Sequence, residues 1–336
     1  MRITINRKAL ARGIQGILLL SALSIIFFSI FFDSVSVIGA TNITNTTVIA
    51  RVNITNTHPN ITSVIVDDDT KAPANTIDLV ANSVQVITCN ATIFDTNGAG
   101  DIDPNSSNAT LFLWSLGSDG QTDNNFRYRN ESCGECITMT ATTVNCGCRF
   151  AVQYYANYSS EWLCNFSIHD MGGTGNTVNL SDSESSLNVT VTRLLAINTS
   201  SLLDYGNLSV TQTTGTPVPF NVSNGGNTNL NLTLRGYGGT DEDSGINNTM
   251  ACEFGNISIG NQRYMPGIDY SGVDFDSMRN LSNQTSKGFT NLTIMQREND
   301  TQHDDDVNTT YWRLRIPTGV GGICNGTIIF GAIQAD

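Results

Sequence analysis

Val86-Ile87-Thr88-Cys89-Asn90-Ala91-Thr92 and Glu161-Trp162-Leu163-Cys164-Asn165-Phe166-Ser167-Ile168-His169-Asp170 decide how this chain is read. Apolar and polar residues alternate in both. Successive side chains of a strand point to opposite faces, so such a run offers one face to a core and the other to water. Working outward, Val48–Thr55, Asn60–Asp67, Val84–Phe94, Ala109–Leu116, Arg149–Ala156, Glu161–His169 and Leu187–Arg193 read as strands. Gly/Asp/Asn/Ser clusters separate them, as at Asp95–Asn108 and Asp170–Glu184. Beyond Leu194 the pattern resumes at Asn207–Thr211, Phe220–Asn227, Leu230–Leu234, Gly255–Ile259, Asn291–Gln296, Thr310–Ile316 and Ile323–Ala332. In Tyr311–Ile316 the set Trp312, Leu314, Ile316 alternates with Tyr311, Arg313, Arg315, as in a half-buried strand.

The order Cys89…Trp114…Cys164 resembles the inter-sheet disulfide and core tryptophan of immunoglobulin-like (Ig-like) domains. Two departures stand out: a long loop separates Cys89 from Trp114, and Trp162 occupies the place of a corner tyrosine. Val222-Ser-Asn-Gly-Gly-Asn-Thr-Asn-Leu-Asn-Leu232 resembles the N-x-G-N turn of Ig-like repeats in archaeal secreted and S-layer-associated proteins. There Asn and Gly would supply the positive φ angles of a tight hairpin. The resemblance spans roughly 48–335 and implies an archaeal cell-surface protein, all-β, with two tandem Ig-like sandwiches after an N-terminal apolar helix. The expected division is 1–40 as signal or anchor, 41–193 as the first sandwich and 194–336 as the second. The resemblance implies no ligand.

Ile14–Phe32 is a nearly continuous apolar run with Arg2, Arg7, Lys8 and Arg12 on its N-terminal side only. That asymmetry leaves everything after Asp33 outside the cell. Small residues at Ser34–Ala40 suit a signal peptidase, and a retained segment would act as a transmembrane anchor. Either outcome exports the same ectodomain. Arg12-Gly13 also resembles an archaeal prepilin cleavage site, which would leave Ile14 first and the apolar helix in a filament core. The chain stops just past its last strand reading, so attachment is expected through the N-terminal segment or through neighbours.

Charged residues make up 14% of the 336, and the net charge is −13. An acidic surface repels phosphates, which disfavours nucleic-acid partners; it favours cations and solubility. Eight cysteines lie beyond the export segment, where disulfides are the ordinary fate. Cys89 with Cys164 would staple two sheets, as in the Ig-like pattern. Cys252 and Cys324 stand alone in the second half and should pair. Cys133, Cys136, Cys146 and Cys148 form C-x2-C followed by C-x-C around an expected hairpin at Thr138–Asn145. A zinc ribbon needs two C-x2-C knuckles, so two disulfides of open pairing are favoured over zinc.

Two dozen N-x-[ST] glycan acceptor sites run from Asn42 to Asn325. In Asn53-Ile-Thr55, Asn165-Phe-Ser167, Asn188-Val-Thr190, Asn221-Val-Ser223, Asn231-Leu-Thr233 and Asn291-Leu-Thr293 the middle residue is apolar. On a strand that spacing puts Asn and Thr on the wet face above a buried side chain. Any polar-faced strand of an Asn/Thr-rich protein looks alike, so the pattern marks exposure before it marks modification.

Asp95-Thr-Asn97-Gly-Ala-Gly-Asp101-Ile-Asp103 resembles a calcium loop, with oxygen ligands at alternate positions and Gly98 for the turn. Ala99 and Ser106 depart from the EF-hand pattern, and the string is also an ordinary Asp/Asn/Gly turn. Asp67–Asp69, Asp241–Asp243 and Asp304–Asp306 read as solvated loop charges. Three histidines (His58, His169, His303) form no H-E-x-x-H, and neither a G-x-S-x-G elbow nor a phosphate-binding loop occurs. The expectation is therefore no enzyme and no cofactor beyond possible calcium. It is instead a structural surface glycoprotein, S-layer-like or coat-associated, whose partners are copies of itself, other surface proteins and N-linked glycan. An adhesin for carbohydrate or cells, or a pilin-like filament subunit, is the alternative. Scarce aromatics weaken a sugar-binding reading, although Tyr154, Tyr155 and Tyr158 form a small cluster that also reads as alternate strand faces plus a turn residue.

Overall fold

A computed structural model describes residues 48–335 except 70–72, 117–122, 174, 179–187, 246, 268–271, 285–288, 300 and 302–304. The apolar run Ile14–Phe32, Arg12-Gly13, Ser34–Ala40, His303 and Asp304 lie outside the described residues. Among the described residues no helix is long and apolar enough to cross a membrane. Thr55–Asp336 forms one compact unit.

The fold is mostly β-sheet. Ten strands come first: β1 (Asn60–Asp67), β2 (Thr76–Ile77), β3 (Val84–Phe94), β4 (Ile102–Leu113), β5 (Arg127–Asn130), β6 (Glu135–Thr138), β7 (Thr143–Gln153), β8 (Ser159–Asp170), β9 (Gly175–Val178) and β10 (Val189–Val191). They make one sheet in the order β1-β3-β7-β6 and another in the order β2-β10-β8-β4-β5, with β9 also on β8. Alternation builds their shared core. Ile87, Cys89, Ala91 and Ile93 of β3 are buried with Trp162, Cys164, Phe166 and Ile168 of β8, while the residues between them, Leu163 excepted, are half-buried. The Cys89–Cys164 disulfide ties the two sheets together.

Trp162, not Trp114, is the core tryptophan. Its indole is fully buried, stacks on Tyr128 at 6.1 Å between ring centroids, and donates Nε1–H to the Asn157 carbonyl at 2.9 Å. Trp114 is 52% exposed because β4 ends at Leu113 and the chain turns through a 3₁₀ segment, Trp114–Leu116.

Ten more strands follow: β11 (Ile197–Thr199), β12 (Val218–Asn224), β13 (Leu230–Gly238), β14 (Asn248–Phe254), β15 (Asn256–Ser258), β16 (Gln262–Pro266), β17 (Arg279–Asn280), β18 (Phe289–Ile294), β19 (Val307–Leu314) and β20 (Gly321–Gln334). A short α-helical turn between them is α1 (Glu242–Gly245). The sheet orders are β11-β12-β19-β16-β17 and β15-β14-β20-β13-β18. Phe330 bridges these sheets, with its ring 4.9 Å from Phe220 and 6.1 Å from Trp312.

All eight cysteines are in disulfides: Cys89–Cys164, Cys133–Cys148, Cys136–Cys146 and Cys252–Cys324. Cys136 lies opposite Cys146 in the β6–β7 ladder, and Cys252 opposite Cys324 in the β14–β20 ladder.

Two strand readings fail. Val48–Thr55 and Asn207–Thr211 carry no strand, although both alternate. Val48, Val52 and Ile54 are each about 80% exposed, because alternation supplies a face but no partner, and a strand exists only in a ladder.

Asn224–Asn227 forms the joint between the two pairs of sheets. The Asn227 amide is buried; its Nδ2 donates to the carbonyls of Ala156 (3.0 Å) and Thr192 (2.9 Å), and its Oδ1 accepts from Leu194 N–H (2.7 Å). Gly225 and Gly226 have no positive φ, contrary to the turn reading. They are glycine for lack of space: a Cβ on Gly226 would lie 2.1 Å from the Leu194 carbonyl oxygen.

Candidate functional site

The acidic loop after β3 is assembled by the register of β4 on β8. Ile102 pairs with Asp170, so Asp101 and Asp170 end up side by side, and Met171 N–H donates to the Asp101 carbonyl at 2.6 Å. Asp95, at the end of β3, completes a group in which each of three carboxylates offers an oxygen within 4.8 Å of the others. Asp95 is fully buried and Asp170 nearly so. Asp95 Oδ1 accepts the Asn97 N–H at 2.7 Å, whereas Oδ2 is buried without a hydrogen-bond partner.

Of the residues read from sequence as ligands, only Asp95 and Asp101 meet. Asp103 Oδ1 accepts the Asn105 N–H at 3.0 Å and stands outside the group. The Asn97 amide oxygen accepts Thr57 N–H at 2.9 Å and Thr57 Oγ1–H at 2.6 Å. Asp170 replaces these two. Its distance along the chain hides it from any loop motif, and the only signal in the sequence is its position at the end of the second deciding strand.

Partial withdrawal from water, followed by the charges of Asp170 and Asp95, holds the Asp101 carboxyl above the usual carboxylate range. A carboxyl raised in this way favours the fold while protonated and loses that contribution as pH rises through its folded-state value. Asp170 and Asp95 thus oppose a charge on Asp101. A positive charge among them would remove that opposition.

The segment Asn56–Thr57 is tied to the same place. Asn56 Nδ2 donates to Asp170 Oδ2 at 2.9 Å, and Thr57 is held by Asn97. Gly172 leaves the room: a Cβ there would sit 2.5 Å from Asn56 Nδ2.

The cluster Asp67–Asp69 is built differently. Asp68 is buried and accepts the Asp78 N–H at 2.8 Å, and Asp67 accepts the Asp69 N–H at 2.9 Å, which are turn contacts. The tyrosine cluster is largely packing. Tyr155 is buried under Arg297, and the Tyr158 ring lies beneath Arg193, each guanidinium 4.5 Å from the ring. A cavity of about 310 Å³ between the later two sheets is lined by Leu202, Leu203, Tyr205, Phe220, Met250 and Phe330 among others, with no carboxylate, histidine or thiol. The Tyr205 hydroxyl oxygen accepts the Gln262 Nε2–H at 2.7 Å. Burial pushes its phenol far above the ordinary value.

The acceptor asparagines divide sharply from the rest. None of those described is buried, whereas the three buried asparagines, Asn125, Asn224 and Asn227, are outside acceptor triplets. Phe166, Val189, Val222, Leu232 and Leu292, the middle residues after Asn165, Asn188, Asn221, Asn231 and Asn291, are all buried. Asn53 departs from this pattern, since Ile54 is 81% exposed. Two acceptor amides are paired across strands: Thr293 Oγ1 donates to Asn231 Oδ1 and Thr309 Oγ1 to Asn221 Oδ1, both at 2.8 Å.

No protein-family model matches the chain. No curated protein matches it. A solved structure described as "Complete structure of manganese lipoxygenase of Gaeumannomyces graminis and partial structure of zonadhesin of Komagataella pastoris" aligns over 82% of this chain and 94% of its own, at 11% identity. Its TM-score of 0.12 is too low to carry any argument about fold or function. What the chain itself establishes is coarser: a mostly β, multi-sheet protein whose four disulfides point to an oxidising, extracellular or secreted environment.

Proposed function

We propose that this chain is a structural glycoprotein of a cell surface, an S-layer-like or coat-associated component built from two tandem Ig-like sandwiches. The observation that carries the reading is the distribution of asparagine. Acceptor triplets cover the wet faces of both pairs of sheets, and buried asparagines are reserved for hydrogen bonds inside the fold. A bulky polar modification needs an exposed attachment point, and the four disulfides fit the compartment in which such modification occurs. The acidic surface suits a protein held at high local concentration.

Intact glycopeptide mass spectrometry of protein from its native host tests this. Glycan is expected on exposed acceptors such as Asn188, Asn221 and Asn291. Unmodified asparagine at every acceptor would sink the glycoprotein reading.

A further inference from the structure

We infer that Asp95, Asp101 and Asp170 bind a divalent cation of the calcium class, and that the cation fastens the segment Asn56–Thr57 onto the sandwich. Two independent observations point to a ligand. The three carboxylates converge within 4.8 Å, and Asp95 Oδ2 is buried there without a hydrogen-bond donor. A buried carboxylate oxygen with no donor is costly, and neighbouring carboxylates make it costlier. Calcium takes several hard oxygen ligands in flexible geometry and suits a set drawn from one loop and one distant strand end. Zinc would want nitrogen or thiolate sulfur, and the cysteine sulfurs of this chain are all in disulfides.

The consequence reaches the chain before the first strand. Asn56 bonds Asp170, and Thr57 bonds Asn97 of the loop that carries Asp95 and Asp101. A cation that fixes the loop and Asp170 against each other fixes both anchor points of this segment. Without it, three opposing charges loosen them. Asn56 and Thr57 are then held stiffly or loosely according to the cation supply. The proposal does not depend on glycosylation, so the two can fail separately.

The full-length chain, stripped with EDTA, is titrated with calcium chloride into the millimolar range, with magnesium chloride as comparison. Extracellular modules bind calcium at about 10⁻⁴–10⁻³ M, which sets that range. Calorimetry, the melting temperature and hydrogen exchange at Asn56–Thr57 are read together. The expected result is one calcium bound, a raised melting temperature and slower exchange of the Thr57 amide. Asp101→Asn should weaken binding by about tenfold or more. In EDTA it should melt above wild type, because it removes one of the three opposing charges. Asp103→Asn, outside the group, should keep the full response. A calcium response of unchanged size in Asp101→Asn would place the ion elsewhere and overturn the site. Binding without slower Thr57 exchange would overturn the fastening role, and no calcium response in wild type would overturn both.

Discussion

Trp162 and Trp114 show what one residue's environment decides. Both lie near the end of a run that alternates apolar and polar residues, and the sequence pattern favours Trp114 by its order between two cysteines. The structure favours Trp162, because β8 continues through it while β4 stops one residue before Trp114. Replacing Trp162 with Ala removes a fully buried indole and orphans the Asn157 carbonyl, at a cost of about 3–5 kcal/mol. Trp114→Ala should stay within about 0.5 kcal/mol, as for most exposed positions. Urea unfolding of the two variants checks the contrast, and equal losses would contradict it. The acidic group was legible to the same partial extent. Asp95 and Asp101 belong to a readable Asp/Asn/Gly loop, whereas Asp170 arrives only through strand register, which no local pattern encodes.

Long strands announced themselves and short ones did not. β3 and β8 carry enough alternating residues to stand out from the Asn/Thr-rich background, and β20 stands out by its apolar run Ile328-Ile329-Phe330. β2, β11 and β17 have two or three residues each, too few for any period, and exist because a neighbouring strand offers them hydrogen bonds. Val48–Thr55 is the converse, a clear period without a ladder. β14 was missed because Met250, Ala251 and Cys252 interrupt its alternation, yet it holds Cys252 directly opposite Cys324 on β20. Closing a loop of 72 residues stabilises the fold by about 4 kcal/mol on chain-entropy grounds. The Cys252→Ala/Cys324→Ala double variant should therefore lose about 3–5 kcal/mol in denaturant unfolding. A loss below about 1 kcal/mol would mean that the β14–β20 ladder already constrains the unfolded chain.

Thr55–Asp336 is a single compact unit, although it contains two separate cores, and the joint explains why. Asn227 satisfies two carbonyls and one N–H of the first pair of sheets and its connection. Asn125 Nδ2 donates to the Arg297 carbonyl at 2.7 Å, and Gln296 Nε2 to the Tyr155 carbonyl at 3.3 Å, adding cross-links on another side. Polar contacts of this kind fix orientation more than they add stability, because their value lies in leaving no buried group unpaired. Asn227→Ala would leave those three backbone groups without partners and cost about 2–4 kcal/mol. The loss falls on the joint, while both cores keep their disulfides and packing. Scanning calorimetry of the wild-type chain should show one cooperative transition. The Asn227→Ala chain should show two, because each core is large enough to melt by itself once the joint stops linking them. Asn221→Ala, on the exposed face of β12, should leave the single transition in place. If Asn227→Ala still melts in one step at an unchanged temperature, the apolar surfaces at the joint, and not its amide network, hold the two halves together.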